Sequence, residues 1–425
     1  MAKLRIKGGN PVKGTFLPRG NKNAVLPMLA ASLLTDQKIT LNNIPLIEDV
    51  GVMLELLSSI GVSVELNDHT VTLEASNIKV SSLDESLCSK VRTSILLAGP
   101  LSARHGSAKI FPPGGDVIGK RRLDTHFQGL AALGIKINFD KTYNFSSDQL
   151  VGTEIILDEA SVTATENIMM AAVLAKGETI IYNAACEPHV QDLAKLLNKM
   201  GANIKGVGTN RLTINGVTSL QGTAYDVQPD YIEIGSYIAA AVVTGGELTI
   251  PHIEDSLPLR VMKRTYSQLG IHWSIKNNTL YLPRQLERTT IGDVGGTTPK
   301  IEDGIWPAFP SDLMSVSIVL ATQTKGTVLF FEKMFESRMY FVDHLMSMGA
   351  NIIQCDPHRV VVIGPSKLKG SKLTSPDIRA GMAMLIAACC AKGESLISNA
   401  QVIDRGYESI EDRLSSLGVD IIREN

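Results

Sequence analysis

A chain of 425 residues with 44% hydrophobic content is long enough for two cores, and a formal net charge of -2 argues against a generally basic nucleic-acid or membrane-surface binder. The cysteines at 88, 186, 355, 389 and 390 show no CxxC spacing and the histidines no HxxxH pair, so no metal, cofactor or disulfide frame is expected. Apolar runs are too short to span a bilayer and MAKLRIKGGN lacks a signal-peptide core, which predicts a cytoplasmic protein without membrane or nucleic-acid partners.

In chain order, KLRIKGGNPVKG opens as a strand, and GNKNAVLPMLAASLL turns to a helical apolar pattern with Lys22 at its mouth. One phrase then recurs: a helical segment ending in an apolar residue and Gly, followed by a β-like run. It appears as LLSSIGVSVEL at Gly61, LAALGIKINF at Gly134, LNKMGANIKG at Gly201, YSQLGIHWSI at Gly270, LMSMGANIIQ at Gly349 and LSSLGVDIIR at Gly418. A spacing of roughly 70 residues is too long for common solenoids and suits a small α/β unit, and glycine there fits the left-handed residue that often closes a helix. A second phrase interleaves, an Ala-rich helix running through a turn into a strand, as in AAVLAKGETIIYNA and IAACCAKGESLISNA. Together they predict six units of strand, helix, strand, helix and closing hairpin.

The sixth unit, ending IIREN, has no closing piece, but KLRIKGGNPVKG resembles RVVVIGPSKLKG, so the N-terminal strand is expected to complete it. Three units per domain then give one domain over residues 22–230 and another over 1–21 plus 231–425, with the ligand site expected in the cleft between them. Helices apolar nearly all round, such as Met169 to Ala175 and Ile238 to Val243, should be buried.

Candidate chemistry sits where one repeat differs from its siblings. FPPGGDVIGKRRLDTH brings Asp116 onto a Gly-Gly turn, Gly114 and Gly115, just before Lys120, Arg121 and Arg122. Alone it fits an ordinary polar loop as well as a general acid beside an anion clamp. Lys22 and Arg92 each stand at a helix start, where a basic group suits a phosphate, although either could be a solvated surface charge. Asp312 in PAFPSDLMSVSIV opens a helix, so it reads equally as an N-cap or as a carboxylate facing a cleft. Taken as a set, Lys22, Arg92, Arg121, Arg338, Arg379 and Arg405 look like a site for a multiply charged anion.

With GNKNAVLP, KVRTSIL, PPGGDVIGKRRLDTH, SVTATENIM, FPSDLM, FESRM, SPDIRAG and DRGYESIEDRL in order, the whole chain resembles the UDP-N-acetylglucosamine enolpyruvyl transferases. The resemblance implies a two-domain α/β fold, an inside-out α/β barrel of six repeats, three per domain. It implies transfer of the enolpyruvyl group of phosphoenolpyruvate to the sugar 3-hydroxyl, the first committed step of peptidoglycan synthesis, without a metal. Carried over residue by residue, Lys22, Asn23, Arg121, Arg379 and Arg405 would hold phosphoenolpyruvate. Asn23, Arg92, Arg121, Arg122, Leu123, Asp124, Thr125, Ser161, Val162, Asp312, Met334 and Arg338 would line the sugar nucleotide. Lys22, Asp116, Asp312 and Arg405 would carry the catalysis, with Asp312 as base. The alternatives are a 5-enolpyruvylshikimate 3-phosphate synthase, which shares the sixfold fold, and a sugar-nucleotide-binding regulator or weak paralogue.

Two positions depart from the family pattern. Thr163 replaces a common glycine, and Asp116 replaces the usual loop cysteine. A carboxyl with an ordinary pKa of about 3.9 needs desolvation to act as an acid at neutral pH, and as a poor nucleophile it should escape epoxides such as fosfomycin.

Overall fold

The computed structural model describes residues 2–79, 83–115, 118–119 and 121–424, so Asp116 and Lys120 lie outside the described residues. The chain divides into two compact units. The Lys22 unit runs from Arg19 to Pro229 apart from the loop tip; the Asp312 unit takes the chain up to Pro18, everything from Asp230 onward, and residues 118–119.

Each unit carries three small sheets around its own apolar core. The sheet that shows the plan best has Glu154–Ile156 parallel to Glu178–Tyr182, which pairs antiparallel with Arg211–Asn215, itself in a hairpin with Asn203–Lys205. The helices Val162–Ala172 and Pro188–Lys199 fill the two connections. The recurring glycines do what the repeat phrase requires: Gly61, Gly134, Gly201, Gly270, Gly349 and Gly418 all have positive φ, between 72° and 104°. A side chain with a β-carbon is strained there, so the glycine both ends the helix and turns the chain into the hairpin.

Inside the Asp312 unit, Tyr231–Val243, Met314–Thr322 and Ile378–Cys390 pack on one another, and every residue of Tyr231–Val243 is buried. In the Lys22 unit, Lys22–Ala31, Ala98–His105 and Val162–Ala172 hold the equivalent interior. Helices without a polar face bury on all sides, and each fully buried Leu, Ile or Val contributes about 1.5–3 kcal/mol. The sheets therefore sit outside and the helices inside, the reverse of the usual layered α/β arrangement.

Lys3–Lys7 pairs antiparallel with both Glu394–Ser398 and Asp420–Glu424, so the N-terminal strand does complete the last repeat. Two further sheets are completed by remote strands that the sequence pattern did not reveal. Lys13–Thr15 lies parallel to Glu247–Pro251, and Thr223–Asp226 lies parallel to Ile39–Asn42. The chain thus leaves each unit part-way through a repeat, immediately before the helices that begin at Lys22 and Tyr231.

Candidate active site

In the Asp312 unit the site is built on a single-turn 3-10 helix, Ser311–Leu313, that leads into Met314–Thr322. Pro310 is the N-cap residue and no side chain caps the turn, so Asp312 serves as something other than a helix cap. Its Oδ1 accepts from Arg338 Nη2 at 3.0 Å, and its Oδ2 accepts from Arg379 Nη2 at 2.8 Å and Nε at 3.1 Å. Each oxygen thus answers to a different guanidinium. Both arginine side chains are nearly buried, while the Asp312 side chain keeps 26% exposure. Charge-assisted bonds of this kind are shorter and stronger than neutral ones, and here they fix the direction of the remaining lone pairs.

Arg379 is placed by its helix. Asp377 caps Ile378–Cys390, accepting from the amides of Arg379 at 2.9 Å and Ala380 at 3.0 Å, which sets the first turn and the root of the arginine. Arg379 Nη1 also donates to Tyr407 Oη at 3.2 Å, and Tyr407 meets Ser236 Oγ at 2.8 Å. Burial opposes the charge on Arg379, but Asp312 and then Tyr407 and Asp230 outweigh it and raise its pKa above the ordinary arginine value. Arg338 stacks over the Phe335 ring at 5.0 Å. Arg338 is therefore placed as a holder of Asp312, a pairing with no trace in the sequence pattern. Met334 is 40% exposed, and Arg405, half-buried, follows the short helix Gln401–Asp404.

Within the Lys22 unit, Asn21 caps Lys22–Ala31 by accepting from the Ala24 amide at 3.0 Å. That places Lys22 and half-buried Asn23 in the first turn. Lys22 Nζ is 2.7 Å from Asp49 Oδ2, and both side chains are almost completely buried. Asp49 stands in the first turn of Glu48–Ser59 and was not foreseen. It holds the ammonium in one place, which a flexible lysine at a substrate site otherwise lacks.

Arg92 opens the 3-10 segment Arg92–Leu97, and its Nη2 donates to the Arg122 carbonyl at 3.0 Å. Burial, with half-buried Arg121 adding its charge, lowers the Arg92 pKa to about 10. Arg122 and Asp124 pair at 2.7 Å on the surface, where such pairs contribute little. Leu123 and Thr125 are buried. The Gly-Gly turn is shaped by close approach: a β-carbon on Gly114 would lie 1.6 Å from the Ser89 carbonyl oxygen, and one on Gly115, at φ 112°, would lie 3.1 Å from Arg92 Cβ. Gly114 N–H donates to the Cys88 carbonyl at 3.0 Å, so this end of the loop is fastened to the segment carrying Arg92.

Ser161 and Val162, both half-buried, start Val162–Ala172, and no side chain caps that helix. Helix starts of this kind favour anions. Thr163, in the first turn, bonds inward, with its Oγ1 3.0 Å from His126 Nε2. Asn167 Oδ1 accepts from the Gly99 amide at 2.7 Å, which orients its Nδ2 toward the Ile95 carbonyl and His126 Nδ1, at 2.9 and 3.1 Å. The imidazole therefore accepts at Nδ1 and donates from Nε2. Burial, with Arg92 in support, lowers the His126 pKa to about 3, so the ring is neutral. Neither His126 nor Asn167 stood out in the sequence, because both look like ordinary helix residues there.

Known proteins resemble the chain along essentially its whole length. A family model described as EPSP synthase (3-phosphoshikimate 1-carboxyvinyltransferase) matches residues 6–414. The UDP-N-acetylglucosamine 1-carboxyvinyltransferase of Treponema denticola is 55% identical over 419 residues, 98% of each chain. That of Treponema pallidum is 52% identical over 425 residues, and that of Bacteroides thetaiotaomicron 48% identical over 434, each covering 100% of both chains. Among solved structures, the enolpyruvyl transferase NikO from Streptomyces tendae matches with a TM-score of 0.88 at 21% identity, over 100% of this chain and 99% of that one. The EPSP synthase of Acinetobacter baumannii follows at 0.79 and 18% identity, over 100% of both, and these two likenesses establish the fold. With half or more of its residues shared along essentially the whole length of the Treponema proteins, the chain belongs to the UDP-N-acetylglucosamine 1-carboxyvinyltransferase family of enolpyruvyl transferases.

Proposed function

We propose that the chain transfers the enolpyruvyl group of phosphoenolpyruvate to the 3-hydroxyl of UDP-N-acetylglucosamine, releasing phosphate, as the first committed step of peptidoglycan synthesis in the cytoplasm. The observation that carries this reading is Asp312, an acid held by two buried arginines with a quarter of its side chain still open. Such a carboxylate has its bonding partners fixed before substrate arrives, which is what a positioned base requires. No helix among the described residues is long and apolar enough to cross a membrane.

In the addition step the sugar 3-oxygen attacks C2 of phosphoenolpyruvate and its proton passes to Asp312. The methylene carbon takes a proton in the same step, and Asp116 is the donor we assign. In the elimination step the methyl carbon returns a proton to the Asp116 carboxylate and phosphate leaves C2 with the C–O bonding pair, restoring the double bond. Lys22, Asn23, Arg121, Arg379 and Arg405 hold phosphoenolpyruvate and meet the charge of the departing phosphate. Arg92, the 121–125 segment, Ser161, Val162, Met334 and Arg338 serve the sugar nucleotide in this reading, Arg338 through Asp312.

Phosphate release on mixing the purified chain with both substrates tests the proposal. Release that requires UDP-N-acetylglucosamine supports it. Release with shikimate 3-phosphate as acceptor would move the chain to the sister activity, and no release with either would make it a binding protein.

A further inference from the structure

Beside the turn that carries Asp312 lie two buried carboxyl groups with no role in the chemistry above. Lys300–Glu302 runs parallel to Gly326–Phe331 with Glu302 opposite Phe331, so the next residues along, Asp303 and Glu332, come side by side. Glu332 has no exposed surface and Asp303 only 1%. Ser311 Oγ donates to the Glu332 carboxyl, 2.9 Å from each oxygen, and the amides of Met334 and Phe335 donate to its Oε1 at 3.2 and 3.1 Å. Asp303 Oδ1 accepts from the Lys333 amide at 2.6 Å, while its Oδ2 is buried with no hydrogen-bond donor among the described residues.

The two carboxyl groups interact through their side chains. Two ionised carboxylates there would both be acceptors and would repel, whereas a single proton between them gives one a donor and the other a partner. Its presence also supplies what Asp303 Oδ2 lacks. Burial and then Asp303 push the Glu332 pKa up to about 9, against Arg338 and Ser311, which pull it down. Among the charged or titratable groups around the pair, Lys333 and Lys300 are drawn off to Glu302 at 2.9 and 2.7 Å, Arg359 to Asp356 at 2.6 Å, and His358 Nδ1 lies 2.8 Å from the Glu332 carbonyl oxygen.

Glu332 touches both arms of the catalytic pairing. Ser311 immediately precedes Asp312, and the Met334 and Phe335 amides begin the segment that ends at Arg338. We propose that Asp303 and Glu332, sharing one proton, form a positioning element that locks the Ser311–Leu313 turn to the 333–338 segment so that Arg338 meets Asp312. This inference rests on the reading of Asp312 as the base for enolpyruvyl transfer.

The test compares Glu332→Gln, Glu332→Ala and Asp303→Asn with the parent chain, reading kcat and both KM values against pH. In the parent, kcat falls as pH rises through about 9, when the shared proton is lost and two negative charges are left in contact. In Glu332→Gln an amide N–H replaces that proton, so kcat stays within about threefold at neutral pH and the step near pH 9 disappears, leaving the limb set by Asp116. Asp303→Asn, with its own N–H toward Glu332, also loses that step. Glu332→Ala lowers kcat about 100-fold with little change in either KM, the effect of a small misplacement. A Gln variant as damaged as the Ala variant, or one with an unchanged alkaline limb, would overturn the proposal. If Glu332→Ala does not fold, the other two variants still decide. An infrared band from a buried protonated carboxyl, present in the parent and lost in Glu332→Gln, reads the shared proton without any turnover. Absence of that band overturns this inference, whereas absence of phosphate release overturns the functional reading and leaves the band in place.

Discussion

Replacing Arg338 with methionine separates its two possible roles, as a holder of Asp312 and as a contact to the sugar nucleotide. Methionine fills most of the same buried volume but removes the 3.0 Å bond to Asp312 Oδ1 and the stacking over Phe335 at 5.0 Å. A hydrogen bond to a charged group is worth about 1.5–3 kcal/mol and a partly desolvated cation–π contact about 0.5–2 kcal/mol. Against that loss, the substitution relieves the desolvation of a guanidinium that is only 3% exposed. The net effect on stability is therefore small, about 0–2 kcal/mol destabilising, because the opposing terms are of similar size. Reactivity has no such compensation. Asp312 keeps Arg379 on one oxygen but loses the partner on the other, so the base swings, and kcat should fall about 10- to 100-fold, equivalent to about 1.4–2.7 kcal/mol of barrier. Steady-state phosphate release and a thermal melt on the same preparation measure the two effects. A raised KM for UDP-N-acetylglucosamine with unchanged kcat would refute the holder role and make Arg338 a substrate contact.

Asp312→Asn, which keeps shape but removes the base, should lower kcat about a thousandfold while ligand binding by calorimetry changes little; unchanged turnover would exclude Asp312 as base. Asp116→Cys should stay active and gain time-dependent alkylation by fosfomycin, visible as a mass increase on the 111–126 peptide, and adducts on the parent loop would contradict the expectation for a carboxylate. The His126 imidazole should stay neutral from about pH 8 to pH 5 in NMR titrations, because its pKa is depressed from about 6.5 to about 3. A depressed pKa means its share of stability is complete above pH 6.5 and is lost as pH falls toward 3, so acid should lower the melting temperature. Protonation of His126 near the ordinary value would refute the buried assignment.

Features encoded locally were legible in the sequence. The six glycines announced helix ends because only residues free of a β-carbon sit easily at φ near 100°, and Gly61, Gly134, Gly201, Gly349 and Gly418 all do. Helices without a polar face, such as Tyr231–Val243, announced an interior of helices. Pairings across long separations left no such trace. Arg338 and Arg379 reach Asp312 from 26 and 67 residues away, and nothing in FESRM or SPDIRAG marks a shared partner. Buried acids are equally silent. Glu332 and Asp303 sit in FFEKM and KIEDG, where charge reads as surface, and only the register of two strands brings them together. Strand exchange was legible once, at Lys3–Lys7, because that strand repeats a neighbour's wording. Lys13–Thr15 and Thr223–Asp226 are too short to carry a pattern. Thr163, a departure from the family pattern in the sequence, turns its hydroxyl inward to within 3.0 Å of His126 Nε2.

Asp312, held between Arg338 and Arg379, is assigned to deliver the sugar 3-hydroxyl to phosphoenolpyruvate. Proton NMR of the product formed from phosphoenolpyruvate and UDP-N-acetylglucosamine, by the parent chain and by Asp312→Asn, examines that assignment at the bond it makes. The parent should give the vinyl protons of an enol ether on the sugar 3-oxygen, with one phosphate released per molecule formed, and these signals should nearly disappear in the variant. Formation of the same ether at an undiminished rate by Asp312→Asn, or no ether from the parent, would contradict the role given to Asp312.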